Sequence, residues 1–434
     1  MSTIQFETVS IGDVRVHVCS SEKFKTTALL AFIAQELKPE YVTKTALLPS
    51  VLQRGTASYP TTIELRRKLD SFYGATLFGD VFKRGERHLI QIGMEIANER
   101  YLSEKKSLLD EGINLFSEAL FSPHLEQGGF KASYVEAEKK NLKQKIESLQ
   151  DDKIRYASQR MVEEMCKGEP YALFNHGRIE DLPQIDAQNL YTYYQEVIQT
   201  CPIDIYCVGN VSADDVVKRL ERNIGDSLRQ RRKTLAVPSA VHSAARKEKT
   251  VIDRLNVKQG KLNLGCRTNV TIQDDDYPAL MMYNGIFGGF PHSKLFLNVR
   301  EKASLAYYCS SRLESHKGLL IIQSGIEISN FEKAVDIIKK QLAAMQQGDI
   351  SDKELDQTKA TLSNQLKEQQ DRSFELIHFH FNQSVLSGRE RTLEALLHDL
   401  EQVRKEDITR VAEKIQLETI YFLRDQEGNA NAKN

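Results

Sequence analysis

Apolar and polar positions recur along this chain with two different periods. Residues 61–73 (TTIELRRKLDSFY) bring Ile63, Leu65, Leu69 and Phe72 near one face at helical spacing, with Thr61 or Thr62 as cap and Gly74 as stop. Residues 76–82 and 88–96 instead alternate residue by residue and predict an antiparallel strand pair. Long helices are predicted over 102–120 and 130–166. The run Cys201–Asn210 predicts a strand stopped by Gly209-Asn210, followed by a helix from Ser212 to about Asn223 with Ser212 and Asp215 at its start. The later part repeats the plan: a strand at Leu262–Cys266, a strand at 319–328, helices over 330–346 and 351–385, and a closing strand at Thr419–Arg424 before a polar tail expected to fray.

Helix runs and strand runs that do not alternate one by one predict an α+β fold rather than a doubly wound sheet. The chain reads as two α+β domains of similar plan, with antiparallel-rich sheets packed by helices: residues 1–228, a linker at 229–250 rich in Arg, Lys, Ser and Ala, and residues 251–434. A fold-level duplication follows from the repeated order of elements.

Composition narrows the function classes. The 434 residues carry 59 Lys+Arg against 60 Asp+Glu, a net charge of −1. General nucleic-acid binders need a basic surplus to displace counterions from phosphates, so that class is set aside. The one basic run, Arg229–Lys233, falls in the linker and reads as a solvated connector. No apolar run is long enough for a membrane span, and MSTIQFETVS lacks the features of a secretory signal. Six scattered cysteines without a C-x-x-C pair predict reduced thiols and a cytoplasmic protein.

The common catalytic motifs G-x-x-x-x-G-K-[ST], G-x-S-x-G and H-E-x-x-H are absent. His378 and His380 are two apart; on a helix they diverge by about 200° and do not share a metal. They read as one surface and one core-edge histidine.

Two segments carry more specific information. One is Ala46-Leu47-Leu48-Pro49-Ser50 running on to Arg54-Gly55-Thr56. The other begins at Gly285, passes Gly288-Gly289 and Ser293-Lys294-Leu295-Phe296, and continues through Arg300-Glu301-Lys302 to Leu305-Ala306-Tyr307. Together they resemble the pitrilysin/insulinase-like zinc endopeptidases, which include the processing peptidases, and the resemblance covers nearly the whole chain. It implies that each chain forms half of a clamshell.

Where that family has His, Glu and His of H-x-x-E-H, this chain has Ala46, Pro49 and Ser50. The distal ligand, seven residues beyond a Glu-Lys pair that matches Glu138-Lys139, is Lys145. A catalytic zinc needs about three N or O protein ligands and an open water position. Methyl, pyrrolidine, hydroxyl and ammonium groups do not supply them, so the resemblance implies no metal in this chain and zinc in a partner. Pro49 is expected near the start of its helix, where a missing N–H costs little. Glu136, Glu138 and Glu147 read as a solvated or salt-bridged face.

The second segment keeps the family's substrate-holding pair. Arg300 and Tyr307 match the arginine and tyrosine that hold the substrate backbone; the competing readings are an Arg300 ion pair with a neighbouring acid and a Tyr307 packed at a strand start. Gly288 and Gly289 match a peptide-contacting glycine loop, or serve as a helix–helix turn. The resemblance thus implies a non-catalytic subunit that binds peptide for an H-x-x-E-H partner in a heterodimer. The alternative is a non-enzymatic peptide-binding or scaffold protein, for which a homodimer is open. No nucleic-acid or membrane partner is implied.

Overall fold

The computed structural model describes residues 5–102, 107–229, 231 and 246–426. In chain order the first part runs β1 (Glu7–Ile11), β2 (Val14–Ser20), β3 (Thr26–Glu36), α1 (Val42–Leu52), α2 (Thr62–Asp70), β4 (Thr76–Arg84), β5 (Arg87–Ala97) and α3 (Leu108–Phe121). A two-residue ladder of β6 (Leu125–Glu126) with β7 (Gly129–Phe130) follows, then α4 (Ala132–Glu147), α5 (Lys153–Met165), α6 (Ala187–Thr200), β8 (Ile203–Gly209) and α7 (Ala213–Arg229). The second part runs β9 (Lys249–Arg254), β10 (Gly260–Arg267), α8 (Tyr277–Asn284), β11 (Ala306–Glu314), β12 (Leu319–Ile326), α9 (Phe331–Gln346), α10 (Asp352–Gln369), α11 (Ser373–His380), α12 (Leu393–Gln402), α13 (Lys405–Lys414) and β13 (Gln416–Arg424).

The strands form two main sheets, ordered β1-β2-β8-β3-β5-β4 and β11-β12-β10-β13-β9. Apart from the extra edge strand β1, the two are the same sheet written twice. In each, one parallel pair (β2 with β8, β9 with β13) is followed by antiparallel neighbours. The α+β class and the duplicated plan are therefore properties of the fold.

Local sequence explains where elements start and stop. Thr61 accepts from the backbone of Glu64 while Glu64 reaches back to Thr61, a reciprocal cap that fixes the start of α2. Gly74 ends the turn after it at φ +79°, a conformation that a side chain disfavours. In β2, β3 and β8 one face (Val16, Val18, Leu29, Ala31, Ile205, Cys207) enters the main core with helix residues such as Leu47, Phe116 and Val197.

Contacts divide the chain into two compact units that do not follow chain order. One gathers 1–147, 173–239 and 369–380; the other gathers 148–172, 240–368 and 381–434. The first unit takes α11 from late in the chain. There Phe374 meets Phe78 edge-on at 5.2 Å, and His378 meets Phe32 at 5.3 Å. The second takes α5, whose Ala157, Met161 and Met165 pack with Leu319, Ile321, Tyr421 and Leu423. A buried ion-pair network secures the segment after α5: Arg267 donates to Glu169 at 2.6 Å and to Glu418 at 2.9 Å, and Lys317 pairs with Glu169 at 2.8 Å.

Several sequence expectations are corrected. The helix predicted over 130–166 is interrupted between Glu147 and Lys153, where Asp152 caps α5 through the N–H groups of Ile154 and Arg155. The helix predicted over 351–385 is interrupted between Gln369 and Ser373. Each interruption lets one predicted helix serve two units. Both histidines of α11 are half-buried rather than one lying at the surface, because that helix packs on β3 and β8.

All six cysteines are buried and none forms a disulfide. Of the predicted linker 229–250, residues 230 and 232–245 lie outside the described residues, as do 427–434 of the tail. Within the basic run, Arg231 pairs with Asp13 at 2.5 Å. No helix among the described residues is long and apolar enough to cross a membrane.

Candidate functional site

Helix α1 carries Ala46, Pro49 and Ser50. Nine of its eleven residues are buried, including Ala46 and Pro49, while Ser50 is half-buried. Pro49 is not near the helix start: it is the eighth residue of α1. An interior proline removes one helical hydrogen bond at a cost of about 3 kcal/mol. The burial of Val42, Leu47, Leu48, Val51 and Leu52 around it offsets that cost, and Gln53 Nε2 donates to the Pro49 carbonyl at 2.8 Å. Helix α1 packs on α4 and on the edge strand β4. The contact with β4 requires Gly79, where a Cβ would stand 3.0 Å from Pro49 Cβ and 2.9 Å from Gln53 Nε2.

The Arg54-Gly55-Thr56 run that follows is fixed residue by residue. Arg54 Nε donates to Glu138 of α4 at 2.5 Å, and Asn141 adds a bond to the same carboxylate at 3.1 Å. A Cβ at Gly55 would lie 2.5 Å from the carbonyl oxygen of Pro60. Thr56 Oγ1 donates to Glu118 at 2.9 Å. Glu138 is thus a buried, paired carboxylate, whereas Glu136 takes Lys139 at 2.7 Å and Glu147 lies 3.7 Å from Lys143 at the surface.

Lys145 lies one helical segment further along α4. Its ammonium stands 3.3 Å from Asp80 of β4, with 53% and 56% of the two side chains exposed. Desolvation alone would raise the Asp80 pKa; the His176 ring 3.6 Å away and the hydrogen bonds from the Val81 N–H and Lys145 outweigh it and hold this carboxyl well below the usual range.

A zinc ion does not fit this donor set. Ala46 and Pro49 offer no lone pair, Ser50 offers one weak hydroxyl donor, and the Lys145 ammonium repels a cation. Among the described residues no group of three or more His, Cys, Asp or Glu side chains is arranged to hold a metal ion.

In the second unit, Arg300 lies in a π-helical stretch, Phe296–Lys302. Its guanidinium sits 4.5 Å from the centroid of the Phe296 ring, is 42% exposed, and has only Glu301 at the 4.0 Å limit of an ion pair. Leu305 N–H donates to the Val299 carbonyl at 3.1 Å, and Ser304 takes φ +50°, which turns the chain into β11. There the register with β12 shifts between Ala306 and Tyr308, leaving Tyr307 as the extra residue of a bulge. Bulges re-aim side chains. Tyr308 packs on Gly325, where a Cβ would come within 2.5 Å of its ring, while Tyr307 projects outward at 68% exposure. Neither the Arg300 guanidinium nor the Tyr307 hydroxyl hydrogen-bonds another described residue. The strand-start packing expected of Tyr307 in the competing reading is not what holds it.

Gly288 and Gly289 end α8 in a π-helical turn, Gly285–Gly289, not in an open loop. A Cβ on Gly288 would lie 2.5 Å from Ser311 Oγ and 2.7 Å from Leu295 Cδ1, so this glycine permits close packing of the turn on β11. Gly288 is buried and Gly289 is exposed.

The fold defines a two-part α+β protein of the peptidase type that the sequence resemblance implies. The family model described as "Peptidase M16 inactive domain" matches residues 184–362. "Probable inactive metalloprotease YmfF" of Bacillus subtilis is 47% identical over 418 residues, covering 96% of this chain and 97% of that protein. "Uncharacterized zinc protease YmxG" of the same organism is 24% identical over 55% of this chain and 57% of its own length. Among solved structures, a conserved protein from Enterococcus faecalis V583 superposes with TM-score 0.88 at 31% identity, covering 98% of this chain and 100% of that one. The peptidase M16 inactive domain from Pseudomonas fluorescens superposes with TM-score 0.80 at 17% identity, over 98% and 99% of the two chains, and shows the shared fold alone. The chain belongs to the M16 family of pitrilysin/insulinase-like metallopeptidases, in its inactive branch.

Proposed function

We propose that this chain is the non-catalytic subunit of a two-chain zinc endopeptidase, in which a partner carries H-x-x-E-H and this chain presents Arg300 and Tyr307 to the peptide. The observation that carries this reading is the contrast between two halves of one machinery. By the sequence resemblance, the family's three ligand positions are filled by Ala46, Ser50 and Lys145 and its general-base position by Pro49; Ala46 and Pro49 are buried in helix packing and Lys145 pairs with Asp80. The substrate-holding positions keep side chains that face solvent and make no hydrogen bond to another described residue, Arg300 resting on the Phe296 ring with Glu301 at the limit of an ion pair. A guanidinium offers a planar fork of donors to peptide carbonyls, and a phenol donates to a carbonyl or a developing oxyanion. Gly289, exposed beside the buried Gly288, is available to a peptide backbone.

The test is reconstitution. The purified chain is mixed with an H-x-x-E-H chain from the same genome, and cleavage of a fluorogenic peptide is followed. The pair is expected to cleave faster than the partner alone, and Arg300→Ala or Tyr307→Phe to lower the gain about tenfold or more without dissociating the pair. A partner equally active alone, or a variant pair equal to wild type, overturns the proposal. Recovery of a self-associated chain that binds peptide and recruits no peptidase supports the scaffold reading instead.

A further inference from the structure

The second unit contains a cleft of about 450 Å³ that shares no residue with the Arg300 and Tyr307 region. It is lined by the start of α8, by residues 389–391, by α12 and by α13. A volume of this size suits a small ligand. The lining is heavily charged, and most of the charges are already spent on each other. Arg389 holds Asp275 at 2.6 Å. Arg410 holds Asp276 at 2.8 Å and Asp407 at 2.9 Å, and Lys414 adds a contact to Asp276 at 2.7 Å.

Arg391 is the exception. It is only 7% exposed, yet no carboxylate of the described residues pairs with it. Its Nη1 donates to the Ile272 carbonyl at 3.1 Å and approaches Gln383 Oε1 at 3.5 Å, and its guanidinium lies 5.2 Å from the Tyr277 ring centroid. The Nε and Nη2 edge, the side of the guanidinium that grips a carboxylate with two parallel bonds, has no partner among the described residues. A buried cation left this way is costly unless something completes it. Burial pulls its pKa down from the ordinary arginine range, in keeping with an incomplete site.

The lining also selects among anions. Asp399 and Glu390 line the same cleft, both are exposed, and neither has an ion-pair partner among the described residues. Two uncommitted carboxylates repel a phosphate dianion and attract an ammonium group. We propose that this cleft binds a zwitterion, a free amino acid or dipeptide, with its carboxylate on the Nε/Nη2 edge of Arg391 and its ammonium toward Asp399 and Glu390.

Calorimetric titration of the full chain tests this with L-alanine, L-lysine, alanyl-alanine, propionate and inorganic phosphate. Saturable binding of at least one zwitterion is expected, with propionate and phosphate weaker by about tenfold or more. Alanine against alanyl-alanine distinguishes the two sources of the same chemistry. Arg391→Gln is expected to abolish binding, with circular dichroism as the check on folding. Asp399→Asn, at an exposed helix position, keeps the test valid if the first variant unfolds, and is expected to weaken zwitterion binding about tenfold while strengthening propionate binding, because one repelling carboxylate is removed. Absence of saturable heat with every zwitterion overturns the proposal, as does propionate or phosphate binding as tightly as alanine, or an Asp399→Asn chain that binds alanine like wild type. The proposal stands independently of any peptidase partner, because the titration uses this chain alone.

Discussion

The Lys145 ammonium and the Asp80 carboxylate face each other at 3.3 Å across the edge of β4. The sequence resemblance implies a carboxylate ligand of the family at the position of Lys145. The same helix therefore makes a charge pair with its neighbouring strand where a ligand would bring a second negative charge beside Asp80.

Lys145→Glu is expected to place like charges there and to destabilise the protein by about 0.5–1 kcal/mol, an effect that salt diminishes because both side chains are half exposed. Urea unfolding at low and high ionic strength measures it. The sign of the pH dependence follows from Asp80, whose carboxyl is held below its ordinary value. Its contribution is complete above the unfolded carboxylate value of about 4 and is lost as pH falls through the folded one. A Lys145→Glu chain as stable as wild type at low salt would contradict the pairing.

Restoring the donor set should restore metal binding. Wild-type chain dialysed against chelator-treated buffer is expected to retain substoichiometric zinc. Ala46→His, Pro49→Glu, Ser50→His and Lys145→Glu combined are expected to raise it toward one per chain. Elemental analysis decides, and stoichiometric zinc in the wild type would refute the donor argument.

Three buried or half-buried histidines predict acid sensitivity. Burial lowers the His88 pKa to about 3, His378 to about 4 and His380 to about 4, and the neighbouring His17 adds to the last. Each is neutral in the folded chain and charges on unfolding. Its stabilising contribution is intact above the ordinary histidine value of about 6.5 and declines as pH falls toward about 4, by about 1.4 kcal/mol per pH unit per histidine. His378→Phe, which keeps an aromatic ring against Phe32 and Phe82, is expected to remove about one such slope. Urea midpoints from pH 7 to 4.5 test it; parallel profiles for the variant and wild type would contradict it.

Gly288→Ala is expected to cost about 1–3 kcal/mol, because the new methyl would meet Ser311 and Leu295 in a packed turn. Gly128→Ala, where a Cβ meets nothing within 4 Å but φ is +78°, bears only the backbone penalty of about 1 kcal/mol. Thermal denaturation of the two variants separates a steric from a conformational origin, and equal losses would count against the close approach at Gly288.

The elements that local chemistry controls were legible in the sequence. The Thr61 to Glu64 cap, the Gly74 stop and the β4–β5 pair come from residues within a few positions of one another. The family resemblance was legible because its motifs sit in recognisable runs. What escaped is what tertiary packing decides. No Gly or Pro marks the breaks at 148–152 and 370–372, and Pro49 gave a helix-start signal that burial of α1 overrides. Arg391 looked ordinary because the residues around its cleft come from Asp275 to Arg410 along the chain.

The assignment of α11 to the first unit and of α5 to the second has a consequence for synthesis. Phe32, Phe78 and Tyr206 emerge from the ribosome well before Phe374, His378 and His380, which cover them. During that interval the nascent first sheet carries an uncovered aromatic face while most of the remaining chain is translated, a surface suited to chaperone capture, and a stop codon placed before residue 373 would make that exposure permanent.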